Sequence, residues 1–229
     1  MKTADRHAAD PIQTSESAMA DSSSTMITGL FAPYWQAMLD AFPYSPRLLA
    51  TALLPVVLEI TTVVFSLFFV ALERFKLCQK WRVHTNPEVT SPPPELVQEA
   101  LRDHVLNGIV ARPIFMFMMF PVFTWFGMQT DTASLPSFQT LMWQLIISIL
   151  IDDTWFYWGH RLLHTPWLYR HIHKQHHRFR FTHPLASEFA HPVEDLLVNS
   201  IGTLLGPLVL GAHLSVLCFY GALKLAQAS

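Results

Sequence analysis

Charge is scarce in this sequence. Asp, Glu, Lys and Arg make up only 14% of its 229 residues, hydrophobic residues 51%, and the mean hydropathy is positive. A soluble domain carries about 25% charged residues, so the deficit points to a membrane protein. Cysteine is nearly absent. Cys78 and Cys218 are far apart, each beside an apolar stretch. This excludes a disulfide framework and places the chemistry in a reducing compartment. The net charge of −2 comes with no basic tract, so no nucleic-acid partner is expected. No internal repeat is present. The first 26 residues lack an apolar run, which excludes a signal peptide, and Asp5, Asp10, Glu16 and Asp21 do not suit a transit peptide. Residues 1–26 are expected to form a disordered tail.

Long apolar runs are abundant. Phe31, Tyr34, Trp35, Phe42 and Tyr44 suit a membrane–water boundary ahead of the first run. That run, Leu48 to Leu72, has 25 residues, where about 20 cross a bilayer. Glu59 lies inside it. A carboxylate there is costly unless neutral or paired, so it reads equally as a functional group or as a hydrogen-bonded Glu facing other helices. Glu73 to His104 is polar, with Arg74, Lys76, Lys80 and Arg82 and then SPPP at Ser91 to Pro94. Pro87 and this run exclude one continuous helix, and Glu95 to Val105 is expected to be a short amphipathic helix on the membrane surface. The second apolar run is Ile109 to Met128, with Pro113 and Pro121 inside and Arg112 placed to snorkel to the interface. Phe138 to Trp158 is the third. Leu196 to Leu223 is the fourth, and Gly202, Gly206, Pro207 and Gly211 leave it open as one span or a re-entrant hairpin.

Lys and Arg concentrate in 73–82 and 161–180, while the loop at 129–137 has none. The positive-inside rule places both basic segments in the cytosol, and the two crossings between them agree with that. The expected fold is all-α: an integral membrane helical bundle of about four crossings, capped on its cytosolic side by a His-rich metal-binding segment.

Eight of the twelve histidines lie between Asp152 and Asp195. HRLLH sets His160 and His164 four apart, and HKQHH sets His173 three and four residues before His176 and His177. Residues at those spacings share a helix face, so each box can present two imidazoles to one point. Converging imidazoles suit Fe, Zn, Cu or Ni. Asp153, Tyr157, His160 and His164 fall on one stripe, so Asp153 and Tyr157 are candidates to orient a ligating imidazole. His191 lies between Glu188 and Glu194 and is a candidate ligand or substrate contact, with the two carboxylates as supporting candidates. One box alone reads as a solvated helix end; two tandem boxes directly after an apolar run outweigh that reading. His171 is expected to face solvent and His183 to sit in a loop. His7, His84, His104 and His213 have no partner at ligand spacing.

Neither box carries the Glu of H-E-x-x-H; Arg161 stands there in HRLLH, which disfavours a zinc hydrolase. A bis-histidine haem wants imidazoles facing each other from two helices across the bilayer, whereas these sit together at one membrane edge. Five or six imidazoles at a lipid-facing mouth suit two metal ions that activate dioxygen and so attack unactivated C–H bonds.

On these motifs the chain resembles the fatty acid hydroxylase and sterol desaturase superfamily, whose pattern is three boxes: H-x(3,4)-H, H-x(2,3)-HH and a later H-x(2,3)-HH. HRLLH at 160–164 and HKQHH at 173–177 match the first two. The run IDDTWFYWGHRLLHTPWLYRHIHKQHH, then EFAHPVEDLL, is most similar to C4-methylsterol monooxygenases, and the likeness spans roughly residues 30–228. The resemblance implies a fatty acid hydroxylase-like membrane domain over 27–229, in the endoplasmic reticulum membrane. It implies a di-iron centre, O2, and NAD(P)H-derived electrons through a cytochrome b5-type donor. The reaction implied is oxidation of a C4-methyl group of a sterol in sterol biosynthesis. Carried over by position, His160, His164, His173, His176 and His177 are metal ligands, and His191 matches a further family histidine. The third box is expected after the fourth apolar run, and the sequence reaches Ser229 without it, so the domain is expected to be C-terminally incomplete. Sterol C5 desaturation, fatty acid hydroxylation and a truncated, non-catalytic sterol-binding role stand as alternatives.

Overall fold

A computed structural model describes residues 29–81, 92–179 and 185–228. The expected tail, His7, His84, Pro87 and His183 lie outside the described residues. Among those described there is no strand; every regular element is helical.

Helix α1 covers residues 29–41. Helix α2, Pro46–Arg74, starts where Ser45 Oγ accepts a bond from the Leu48 amide, with Pro46 preset for the first turn. Thr51, Thr61 and Thr62 return their hydroxyls to carbonyls one turn back, so these polar groups are satisfied inside an apolar helix.

Helix α3 runs unbroken from Pro94 to Trp125, 32 residues. This corrects the expectation of a separate surface helix over 95–105. A π turn at Val105–Ala111, with the Arg112 amide bonded to the Asn107 carbonyl, joins the amphipathic start to the apolar remainder. The wider turn keeps the Pro113 ring off the carbonyl four residues back, the clash that otherwise breaks a helix at proline. Helix α4, Phe138–Leu163, is capped by Ser137, whose Oγ accepts from the Thr140 amide at 3.1 Å. Among the described residues, two helices, α2 and α3, are long and apolar enough to cross a membrane. Their outward faces carry Val56, Ile60, Leu67, Ile114 and Met118 in the open, surface that lipid accepts and water does not.

The fourth apolar run is a hairpin. A π turn at Asp195–Ser200 leads into α5, Ile201–Val209; the chain reverses at 210–213 and returns as α6, Leu214–Ala228. Gly211 makes the reversal with φ +55, and a Cβ there would run into the Phe126 carbonyl oxygen. The Leu214 amide bonds to the Gln129 carbonyl at 3.0 Å, and His213 Nε2–H donates to the Asp131 carbonyl at 3.0 Å. Trp35 of α1 donates to the Thr130 carbonyl and packs against His213. These contacts close one end of the bundle. Between the ends, Leu54, Met116, Phe123, Leu204 and Leu217 form the core. The histidine boxes occupy the opposite end.

Candidate metal centre

The last turn of α4 carries His160, and His164 is the C-cap residue that follows it. Thr165 and Pro166 end that helix, and the second box follows in a π turn, Tyr169–His173, and a 3-10 turn, His176–Arg178. The reversal folds the second box onto the first. His160 and His164 bring their Nε2 atoms to 3.2 Å, and His173 and His177 bring theirs to 3.0 Å. One nitrogen from each of the four lies within 4.8 Å of the others. Two nitrogens on one ion at about 2.1 Å are at most about 4.2 Å apart. Both close pairs already meet that limit, and the whole set, within 4.8 Å, needs side-chain shifts of only about half an ångström to meet it, so the donors suit a metal ion.

His173 is the centre of the group and is wholly buried. Its Nδ1–H donates to Glu194 Oε1 at 2.8 Å, which leaves the Nε2 lone pair facing the other imidazoles. Burial first, and the crowding of neighbouring imidazoles second, push His173 down to about 4. The ring is therefore neutral at physiological pH, the form that ligates metal.

His176 stacks on His173 with ring centroids 5.7 Å apart, outside the four-nitrogen group. Its Nδ1 is buried without a hydrogen-bond partner, and burial pushes the ring's pKa down. His191 caps the turn Pro192–Glu194: its Nδ1 accepts from the Val193 amide at 3.2 Å. It too stands outside the four-nitrogen group. Tyr157 is exposed and its hydroxyl accepts from Arg161 at 2.9 Å; Asp153 is exposed. His171 faces solvent, as expected.

Behind the centre runs a chain of ionisable groups that sequence spacing did not reveal. Glu59 of α2 meets His104 Nε2 at 2.8 Å, and His104 Nδ1 lies 3.5 Å from Glu188. Arg112 donates to Glu188 at 2.8 Å and to both oxygens of Asp195 at 2.7 and 3.2 Å. Arg112 thus does not snorkel: its side chain is mostly covered, held by two carboxylates that are themselves buried. Burial works to raise Glu188, but the Arg112 charge overrides it and holds the carboxyl at about 2. The signal for Arg112 was the same as for Glu59, a charge inside an apolar run. A second anchor is Asp152, which accepts from Tyr220 at 2.8 Å and from Lys224 at 2.6 Å, tying α6 to α4. Below His176, Arg112, Glu188 and Asp195, a mostly apolar cavity of about 190 Å³ opens between Leu58, Phe115 and Phe156.

The sequence match falls on this part of the chain. Residues 145–228 match the fatty acid hydroxylase model, a stretch that holds both boxes, Glu188, Glu194 and Asp195. This segment belongs to the fatty acid hydroxylase family. The chain is 32% identical over 155 residues to a rice (Oryza sativa subsp. indica) protein named very-long-chain aldehyde decarbonylase GL1-11, covering 68% of this chain and 56% of that one. It is 32% identical over 159 residues to methylsterol monooxygenase 2-1 of Arabidopsis thaliana, covering 69% and 56%. It is 37% identical over 126 residues to fatty acid hydroxylase ahd1 of Mycosarcoma maydis, covering 54% and 33%. The aligned part thus spans about half the length of the first two relatives. No solved structure matches the chain.

Proposed function

We propose that this chain carries the histidine-bearing part of an iron- and oxygen-dependent membrane oxidoreductase of the endoplasmic reticulum, and that its substrate is a sterol oxidised at a C4-methyl group. The observation that carries the reading is the convergence of His160, His164, His173 and His177, four nitrogen donors within 4.8 Å, beside an apolar cavity. Iron bound there supplies the activation of dioxygen that oxidation of an unactivated C–H bond requires. The residues of this chain do the rest. Glu194 orients His173 and fixes its tautomer. His176, with its free Nδ1 at the cavity wall, is the next available donor. The cavity's apolar wall seats the reacting end of a lipid and keeps water from the His176 side of the centre.

In the membrane, α2, α3, α4 and the α5–α6 hairpin make the crossings, with the histidines on the cytosolic side where Lys and Arg concentrate. Electrons come from NAD(P)H through a cytochrome b5-type carrier. The relatives named methylsterol monooxygenase support the sterol reading. Those named aldehyde decarbonylase and fatty acid hydroxylase support a second reading, oxidation of a long-chain acyl lipid.

The test offers purified protein, with NADPH, a reductase and cytochrome b5, three substrates side by side: a C4-methylated sterol, a long-chain fatty acid and a long-chain aldehyde. Oxygen-dependent conversion of the sterol methyl group to an alcohol, aldehyde or carboxylate is the expected result. Turnover of the acyl substrates alone establishes the second reading in its place.

A further inference from the structure

The second histidine box has little regular structure of its own. It is built from the π turn Tyr169–His173 and the three-residue 3-10 turn His176–Arg178, elements too short to hold a geometry alone. Yet His173 and His177 meet at 3.0 Å. Besides the Glu194 bond to His173, the segment is tied to the polar start of α3. Glu99 accepts two parallel hydrogen bonds from Arg178, both 2.6 Å, across 79 sequence positions. One turn further, Asp103 accepts from Gln175 Nε2 at 2.7 Å. Gln175 and Arg178 flank His176 and His177 on either side.

We propose that Glu99 and Asp103 are positioning residues of the metal centre: through Arg178 and Gln175 they hold segment 173–178 against α3 so that His173 and His177 keep their nitrogens together. The inference rests on the ligand assignment made above. Exposed ion pairs add little to stability on average, but a bidentate Arg–carboxylate pair adds geometric definition, and geometry is what the box lacks.

The sign of one effect separates this role from simple electrostatics. Arg178 is a cation beside a cation-binding site. Through charge alone, its loss tightens metal binding, whereas loss of Glu99 weakens it. Through positioning, both losses weaken it. The experiment titrates Co(II), whose visible absorption reports ligand geometry, into the full chain in lipid nanodiscs. Glu99→Gln and Arg178→Gln are each expected to bind Co(II) about threefold to tenfold more weakly, less than for a group bonded directly to a ligand. The double variant is expected to be no worse than either single one, because the two residues act as one unit. Unchanged or tighter binding by Arg178→Gln, or additive losses in the double variant, overturns the proposal. Should the unmodified chain take up no Co(II), the ligand assignment fails, and amide hydrogen exchange over 169–178 decides the clamp by itself. Faster exchange there in both variants, with α4 unchanged, supports it; unchanged exchange overturns it.

Discussion

His173 Nδ1 and Glu194 Oε1 lie 2.8 Å apart in the interior, joining the first histidine of the second box to a carboxylate 21 positions later. A carboxylate in this place makes the ring a better donor and fixes its tautomer. Glu194→Gln keeps an acceptor but removes the charge, and Glu194→Ala removes both. Metal affinity is expected to fall by about 10- to 100-fold in the alanine variant and by less in the glutamine one. Titration of Fe(II) or Co(II) into each variant measures this, and equal affinities across the series would contradict the role.

Arg112 holds together two buried carboxylates, Glu188 and Asp195. Arg112→Met leaves both without their cation, at a cost of about 3–5 kcal/mol. Neutralising the partners as well, with Glu188→Gln and Asp195→Asn, is expected to recover most of that loss. Unfolding in nanodiscs, followed by circular dichroism, reads the comparison. A single Arg112→Met variant as stable as the unmodified protein would show that the network contributes nothing.

The depressed His173 gives the metal-free protein an acid limit. It titrates at about 4 in the fold and near 6.5 when unfolded, so between those values the unfolded chain binds more protons. Stability therefore rises with pH across this window, is complete above about 6.5, and drains away as pH falls toward 4. Glu188, held at about 2 in the fold, adds to the loss in the acid part of the window, where the unfolded chain takes up its proton first. Unfolding midpoints are expected to climb as pH rises from about 4 to about 6.5. A maximum at pH 5 would rule this out.

The α4–α5 contact depends on Gly206, where a Cβ would sit 2.6 Å from the Ser148 Cα. Backbone cannot move aside as a side-chain tip can. Gly206→Ala is expected to cost about 1–3 kcal/mol, while Gly29→Ala, with nothing within 4 Å, is expected to be neutral. Unfolding of the two variants side by side checks both.

The histidine boxes were legible because a local spacing, four apart in HRLLH and three and four in HKQHH, states their chemistry directly. The helical character of the apolar runs was legible for the same reason. The continuity of α3 was not: Pro113 and the polar stretch before it obey rules that end α-helices, and only a π turn evades them. His104 seemed idle because its partners are the carboxylates of Glu59 and Glu188, 45 and 84 positions away, brought to it by packing rather than by spacing. Arg112 has the same history. Of the adjacent pair Asp152 and Asp153, the helix turns the first inward to Tyr220 and Lys224 and the second outward. The choice depends on where α6 lies, which no stripe on α4 alone encodes. The open question of one span or a hairpin at 196–223 was settled by Gly211, whose positive φ makes the reversal.

The most direct measurement is the metal content of the full chain, purified in lipid after growth in iron-supplemented medium, beside His164→Ala and His191→Ala. Iron bound to the unmodified protein, lost in His164→Ala and retained in His191→Ala, is the expected result, because His164 lies inside the four-nitrogen group and His191 caps a turn outside it. An unmodified protein without iron, or a His164→Ala variant that holds as much, would contradict a metal centre at these histidines.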